Sequence, residues 1–499
     1  MRVPMLAGTQ LVVVSTDEDS VTLRPPPPAE GIADVGAAVR DALRFPLAGP
    51  PLEALVPRSA SRATVVVEPP ALPLPGVERD PRQEAVAAAV EELERLGVAS
   101  GYQTLLVAGG LARRAGHELL GNLVSPDFAR RFHGHVEVHD VERDDLVELD
   151  GNARVPLRVH PALVETDVVV VVTAAETVLH GGPATLLGAA NRDALRTAGA
   201  WSLLETSASQ GWRTGVAIER ALAGRVPLIG ASLVLNHPSA GGAARGYPYD
   251  DEALERIAGS PFRHLFGVLP GGVRASILRS LPLERTAAGA FAGPPSVAHA
   301  EALLRGVELR GVTLNAELDA ICMGIPRTTP HLPRERPNPV LVSSLGLGLA
   351  LRLWRDAFPV REGGTAILLS RFQRRFAHPT QQPYRALFGA ARTGPDPEAL
   401  ARAETTAGAD ARALASYRAG RTVHPLLPFV DWSGCAPALS RLGHILVAGC
   451  RDATAARSLG FVPVHGLGAA LTMARGWTDR PPRIGFLLAP PYFPLRVAA

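Results

Sequence analysis

The sequence predicts an α/β fold: two α/β domains around a cleft. Strand-like apolar runs alternate with helical patterns along the whole chain, as in repeated strand–helix–strand units. The most apolar run, Val168 to Val172, reads as a central parallel strand with both faces buried. The chain has 499 residues and is 46% hydrophobic, more than one core ordinarily holds. The expected division is residues 1–275 and 276–499, because the pattern restarts beyond a Gly- and Pro-rich stretch near residue 290.

In order, Leu11–Val14 and Ser20–Leu23 read as a hairpin turning at Thr16–Ser20; as segment 10–24 it is free to pack with either domain. Val35–Leu43 reads as a helix and Ala63–Val67 as a strand. Pro81–Leu96 is a helix: Pro81 suits the first turn, Ala85, Ala88, Val90, Leu93 and Leu96 supply an apolar face, and Gly97 ends it. Tyr102–Val107 is a strand broken by Gly109–Gly110, and Arg114–Leu123 reads as a helix. Val136–His139, Val147–Leu149, Val155–Val159 and Thr166–Thr173 follow as strands. Helical patterns then cover Asn191–Glu205 and Val216–Leu222, and Val226–Leu235 is a long apolar strand. Gly289–Pro295 reads as a shaped loop or hinge before a helix at Ser296–Val307. Strands are expected at Leu318–Met323, Gly364–Ser370, His444–Ala448 and Arg483–Leu488. Helices are expected at Val340–Phe358, Pro397–Ser416, Asp452–Ser458 and Gly466–Gly476.

Composition excludes several classes of function. The chain contains no lysine, so all 51 basic residues are arginine. Schiff-base chemistry and cofactors held through a lysine amine are thereby ruled out, as is a phosphate-binding loop of the usual Gly-Lys-Ser/Thr kind. The arginines are interleaved with Asp and Glu, net charge is only +3, and the densest cluster, Arg371–Arg375, is short, so nucleic acid is not the expected partner. Three cysteines with no close pair exclude a disulfide scaffold and fit a reducing cytoplasm. No signal peptide is evident, and Val168–Val172 and Leu341–Leu353 are too short to span a membrane.

Five places are candidates for chemistry. His133, His135 and His139, at one strand parity with Asp140 alongside, are the most metal-like group, set against a polar edge strand with surface histidines. His180–Gly181–Gly182 follows the valine strand, at the carboxyl edge where open α/β sheets bind ligands. There glycine amides approach an anion and His180 serves as acid or base; the competing reading is a tight turn. Gly109–Gly110 with Arg113 and Arg114 could hold a carboxylate or phosphate, or be an ordinary strand–helix link. Cys322-Met-Gly-Ile-Pro-Arg327 ends a strand; Cys322 lacks a visible base and reads as structural, while Arg327 faces the same edge. Asp431-Trp-Ser-Gly-Cys435 is an unusual loop in which Ser433 has no nucleophile-elbow context.

The order of these pieces resembles the nickel-dependent lactate racemase family. Leu105–Arg114, His139–Asp140 with Leu146–Leu149, and Val159–Gly188 follow that family's first domain, and Gly289–Pro295, Asp319–Pro326 and Gly460–Ala470 follow its second. The resemblance implies a nickel–pincer ring tethered by a lysine just after the Gly-Gly bend, a nickel-binding histidine, and two further histidines acting as acid and base on a 2-hydroxy acid. This chain departs from each. The lysine position is Ala184, the Pro-His pair reads Ala174–Ala175, and the nickel-histidine helix reads Arg196-Thr-Ala-Gly-Ala-Trp201. The His-Arg turn reads Leu111-Ala112-Arg113, and Thr-Arg-Pro reads Val67-Glu68-Pro69. The expectation is therefore a divergent relative without the tethered cofactor, taking a small anionic ligand or a metal of unknown identity. Two alternatives stand beside it: a 2-hydroxy-acid racemase or epimerase with an untethered cofactor, and a non-catalytic scaffold or partner protein. The candidate acid–base residues are His180 and His139; the candidate ligand-binding residues are Arg113, Gly181, Gly182 and Arg327.

Overall fold

The computed structural model describes residues 1–498 apart from 18, 58–61, 76, 115–120, 122, 150–155, 327–337, 377 and 392–395. Arg327, most of the expected helix at 114–123, and Val155 of an expected strand lie outside the described residues. The principal strands are β1 (Arg2–Ala7), β2 (Gln10–Ser15), β3 (Ser20–Leu23), β4 (Ala63–Val67), β5 (Gln103–Val107), β6 (His135–Val138), β7 (Val168–Ala174), β8 (Leu228–Leu235), β9 (Ala287–Gly293), β10 (Leu318–Gly324), β11 (Val360–Leu369), β12 (His444–Ala448), β13 (Val462–Val464) and β14 (Ile484–Leu487). The helices that matter below are α1 (Val35–Arg44), α2 (Pro81–Arg95), α3 (Pro183–Gly188), α4 (Gln210–Ala223), α5 (Pro295–Arg310), α6 (Ala453–Ser458) and α7 (Leu467–Gly476).

The first six-stranded sheet has the order β9-β8-β7-β4-β5-β6 and is parallel except for β9. Every residue of β7 is buried, as its unbroken valines require: Val168, Val170 and Val172 face α1 and α2, and Val169 and Val171 face α3 and α4. Each valine so buried contributes roughly 1.5–3 kcal/mol. The α2 helix starts where expected: Pro81 occupies the first turn, and the Asp80 side chain accepts a hydrogen bond from Arg82 N. The second sheet, β13-β12-β11-β10-β14-β3, is wholly parallel. One apolar cluster runs between the two halves, joining Val178, Leu203 and Trp212 to Leu341, Leu345 and Tyr492.

Four expectations are corrected. Residues 10–24 are not a hairpin: β2 pairs antiparallel with β1, while β3 joins the edge of the second sheet beside β14. The intervening polar turn does not impose pairing between its flanks, and the buried Leu23 has its apolar partners in the second half. Gly289–Gly293 is not a loop but part of strand β9, paired antiparallel with β8; Gly and Ala carry no strand signal, and the neighbour imposes the conformation. Both β9 and α5 lie beyond residue 275 in sequence and pack on the first sheet. Of Asn191–Glu205 only Arg192–Arg196 is helical, and beyond Gly199 the chain bonds the other half through Leu203 N to Arg352 O at 2.7 Å. Val340–Phe358 begins helically but widens to π geometry at Ser344–Leu349, where Gly346 packs tightly on Leu368, and ends in a short strand at Trp354–Arg355.

Candidate functional site

Parallel strands direct their carboxyl ends, and the loops that follow, to one edge of a sheet. In the first sheet that edge gathers Glu68 after β4, Glu176 after β7 and His237 after β8. The first turn of α2 adds Asp80 and Arg82, the segment before β9 adds Arg285, and the end of α5 adds Arg310. Asp80, Arg82, Glu176, Arg285 and Arg310 are all buried.

Arg82 is the hub. Its Nε and Nη2 donate to the two Asp80 oxygens at 3.0 and 2.9 Å, and its Nη1 donates to Glu176 Oε1 at 3.2 Å. Arg285 Nη1 donates to Asp80 Oδ2 at 3.2 Å, while its buried Nε has no acceptor among the described residues. Glu176 Oε2 accepts from Ala71 N at 2.7 Å. Among the described residues Arg310 donates only to backbone oxygens, Gly306 O at 3.2 Å and Ala175 O at 3.1 Å. Burial pulls Arg310 down to about 10, with Glu176 pulling the other way and Arg285 adding to the fall. Burial alone would raise Asp80, but Arg82 and Arg285 together hold it below the ordinary carboxylate value. His237 is pushed down to about 3 by burial and then by Arg310 and Arg285, so it is neutral at any physiological pH.

Glu68 lines a cavity of about 10 Å³ with Arg82 and Glu176, room for about one water. Burial pushes its carboxyl up to about 8 and nearby Glu176 adds to the rise; the Thr185 hydroxyl and Gly181 amide oppose it. At neutral pH the group therefore holds three guanidinium ions, two paired carboxylates and a protonated Glu68, an excess of one positive charge. Sequence reasoning missed these residues, apart from noting Glu68 as a departure from the racemase pattern. A positional signal did exist: a charged residue immediately follows β4 and lies within two residues of the end of β7.

The residues singled out in the sequence do not all meet here. Gly181 and Gly182 do, with φ of 96° and 56°, pressed on the α5 side chain His299. A Cβ at Gly181 would stand 2.0 Å from His299 Cε1, and one at Gly182 2.4 Å from its Cβ. The Gly182 amide donates to Thr173 Oγ1 at 3.1 Å. His180, on the same turn, has Nδ1 3.0 Å from Thr177 Oγ1. His139 lies elsewhere, fully buried, with Nε2 2.9 Å from Ala190 O and its ring edge-on to His160; burial lowers it to about 4. His133 and His135 are exposed. Arg113 donates to Gly420 O at 2.9 Å and Arg114 to Val138 O, His139 O and Arg418 O, so this pair bridges the two halves. Cys322 is buried and free, and burial raises its thiol far above the ordinary value.

Among the described residues no group of three or more His, Cys, Asp or Glu could hold a metal ion, and no helix is long and apolar enough to cross a membrane. The residues present do not fit a lysine-tethered nickel ring. The chain has no lysine, and the side chain at position 184 is a buried methyl in the first turn of α3.

Residues 8–182 match the family model described as the lactate racemase N-terminal domain; the match stops at Gly182, just before α3. No curated protein matches the chain. A protein from Thermotoga maritima aligns over 94% of this chain and 100% of its own, at 9% identity and a TM-score of 0.48. The lactate racemase apoprotein from Thermoanaerobacterium thermosaccharolyticum aligns over 100% of both chains, at 14% identity and a TM-score of 0.63. The chain thus shares an α/β architecture with that apoprotein, and its first third is similar in sequence to the N-terminal domain of the lactate racemases.

Proposed function

We propose that this chain is a divergent lactate-racemase-like protein that binds a small carboxylate at the carboxyl edge of its first sheet, without the tethered nickel cofactor. The observation that carries the reading is Arg310: a buried guanidinium that, among the described residues, donates only to backbone oxygens, in a cluster that holds one positive charge in excess while Glu68 keeps its proton. A buried charge without a counterion is costly, and a ligand carboxylate supplies the missing one. The cavity holds about one water, so entry requires Glu68 to turn away from Gly181 and the halves built on the two sheets to part along a cleft.

A second reading, an isomerase acting on a hydroxy acid, has Glu68 in its favour. A carboxyl that titrates at about 8 beside arginines is suited to proton transfer near neutrality. His180 on the neighbouring turn would serve the opposite face of the carbon.

One experiment addresses both. Thermal denaturation is followed with D- and L-lactate in deuterated buffer, and lactate C2 is then read by NMR. Binding predicts a rise in melting temperature that saturates and is absent in Arg310→Gln; stabilisation grows as RT ln(1 + [L]/Kd). Deuterium at C2, lost in Glu68→Gln, supports the isomerase. If neither lactate nor other small carboxylates stabilise the protein, the carboxylate reading fails and a scaffold role takes its place.

A further inference from the structure

The second sheet has a carboxyl edge of its own, and the cluster Arg371–Arg375 lies on it. The loop after β11 and the loop after β12 leave adjacent strands and are tied together: Arg451 N donates to Arg371 O at 2.8 Å, and Ser370 N to Ala448 O at 3.1 Å. Two backbone positions shape the turn. Gly449 has φ of 83°, and Phe372, buried against Phe461, has φ of 41°, a conformation that bulky residues rarely adopt. Such outliers persist where the surroundings over-determine them. Between the loops lies an open basin of about 420 Å³, lined by Gln373, Arg374, Arg375, Arg451, Asp452 and Thr454.

The basin's charge is unbalanced. Three exposed arginines face one carboxylate, and Asp452 already spends Oδ1 capping α6 through Ala455 N at 2.9 Å. Its other oxygen is 3.9 Å from Arg374 Nε, while Arg375 and Arg451 have no carboxylate partner among the described residues. We propose that this basin is a second ligand site, distinct from the carboxylate site of the first sheet, and that it binds the phosphate group of a small phosphorylated metabolite. An excess of two positive charges matches a phosphate monoester dianion better than a monocarboxylate, and arginine forks fit phosphate oxygens in pairs. The volume lies in the range of small-molecule sites. A nucleic-acid strand is disfavoured, because no aromatic side chain lines the basin among the described residues, and Phe372 and Phe461 beneath it are buried.

The test is calorimetric titration of the full chain with glycerol 3-phosphate at physiological salt, with glycerol as control. The expected result is saturable one-to-one binding below about 1 mM for the phosphate ester and none for glycerol. The double variant R375A/R451A should weaken binding at least tenfold and keep the unliganded melting temperature, since both side chains are exposed. Three outcomes overturn the proposal. One is no saturable binding by wild type. Another is equal binding by the double variant, with loss in Arg310→Gln, which would move the phosphate to the first sheet. The third is steeply salt-dependent binding of a single-stranded oligonucleotide that glycerol 3-phosphate does not displace.

Discussion

Glu68 illustrates how one residue couples the site to pH. Its carboxyl titrates at about 8 in the fold against an ordinary 4.5. Between these values the folded chain holds a proton that the unfolded chain has released, so stability falls as pH rises through that window. Stability from this group is complete below about 4.5 and lost above about 8. Glu68→Gln should flatten the profile: melting temperature will decline less from pH 5.5 to 8.5 than in wild type, and at pH 8.5 the variant will be the more stable. A parallel decline in both proteins would show that Glu68 is not held protonated. The sequence placed Glu68 at the end of a strand but gave no hint of its protonation, which comes from burial in the fold and from Glu176 arriving from a distant position, against the opposing pull of Arg82 and the Gly181 amide.

The β7–α3 turn shows what an element demands of its residues. The Gly181–Gly182 pair reads as a ligand-ready bend, yet its immediate physical role is to let the turn lie on His299 of α5. Gly181→Ala combines an unfavourable φ with a steric overlap, and should cost more than about 1 kcal/mol in urea denaturation. Adding His299→Ala should recover part of that loss, because the overlap goes while the backbone strain stays. If the double variant is no better than the single, the turn is limited by its backbone alone. Strands and helices with strong periodicity, such as β7 and α2, were legible from sequence. The weakly patterned β9 was not, because its conformation is imposed by pairing with β8.

At the scale of the molecule, the halves are joined by a shared apolar cluster and by polar ties. Tyr417 OH donates to Gly110 O at 3.2 Å, His424 Nε2 lies 3.1 Å from Glu142 Oε1, and Arg114 donates to Arg418 O at 3.0 Å. Calorimetric unfolding should therefore show one cooperative transition whose van't Hoff and calorimetric enthalpies agree; two resolved transitions would mean the halves fold separately. The sequence by itself determined the α/β class, through the alternation of buried strands with amphipathic helices, and it excluded a lysine-held cofactor, because composition needs no coordinates. Tertiary structure alone decided which sheet β3 joins, that Gly289–Gly293 is a strand, and that the buried Arg82, Glu176, Arg285 and Arg310 meet the half-buried Glu68 at one sheet edge. Periodicity is a local property that survives in a single sequence. Long-range pairing and the meeting of charges depend on how the strands are ordered in the sheet, and no local pattern encodes that order.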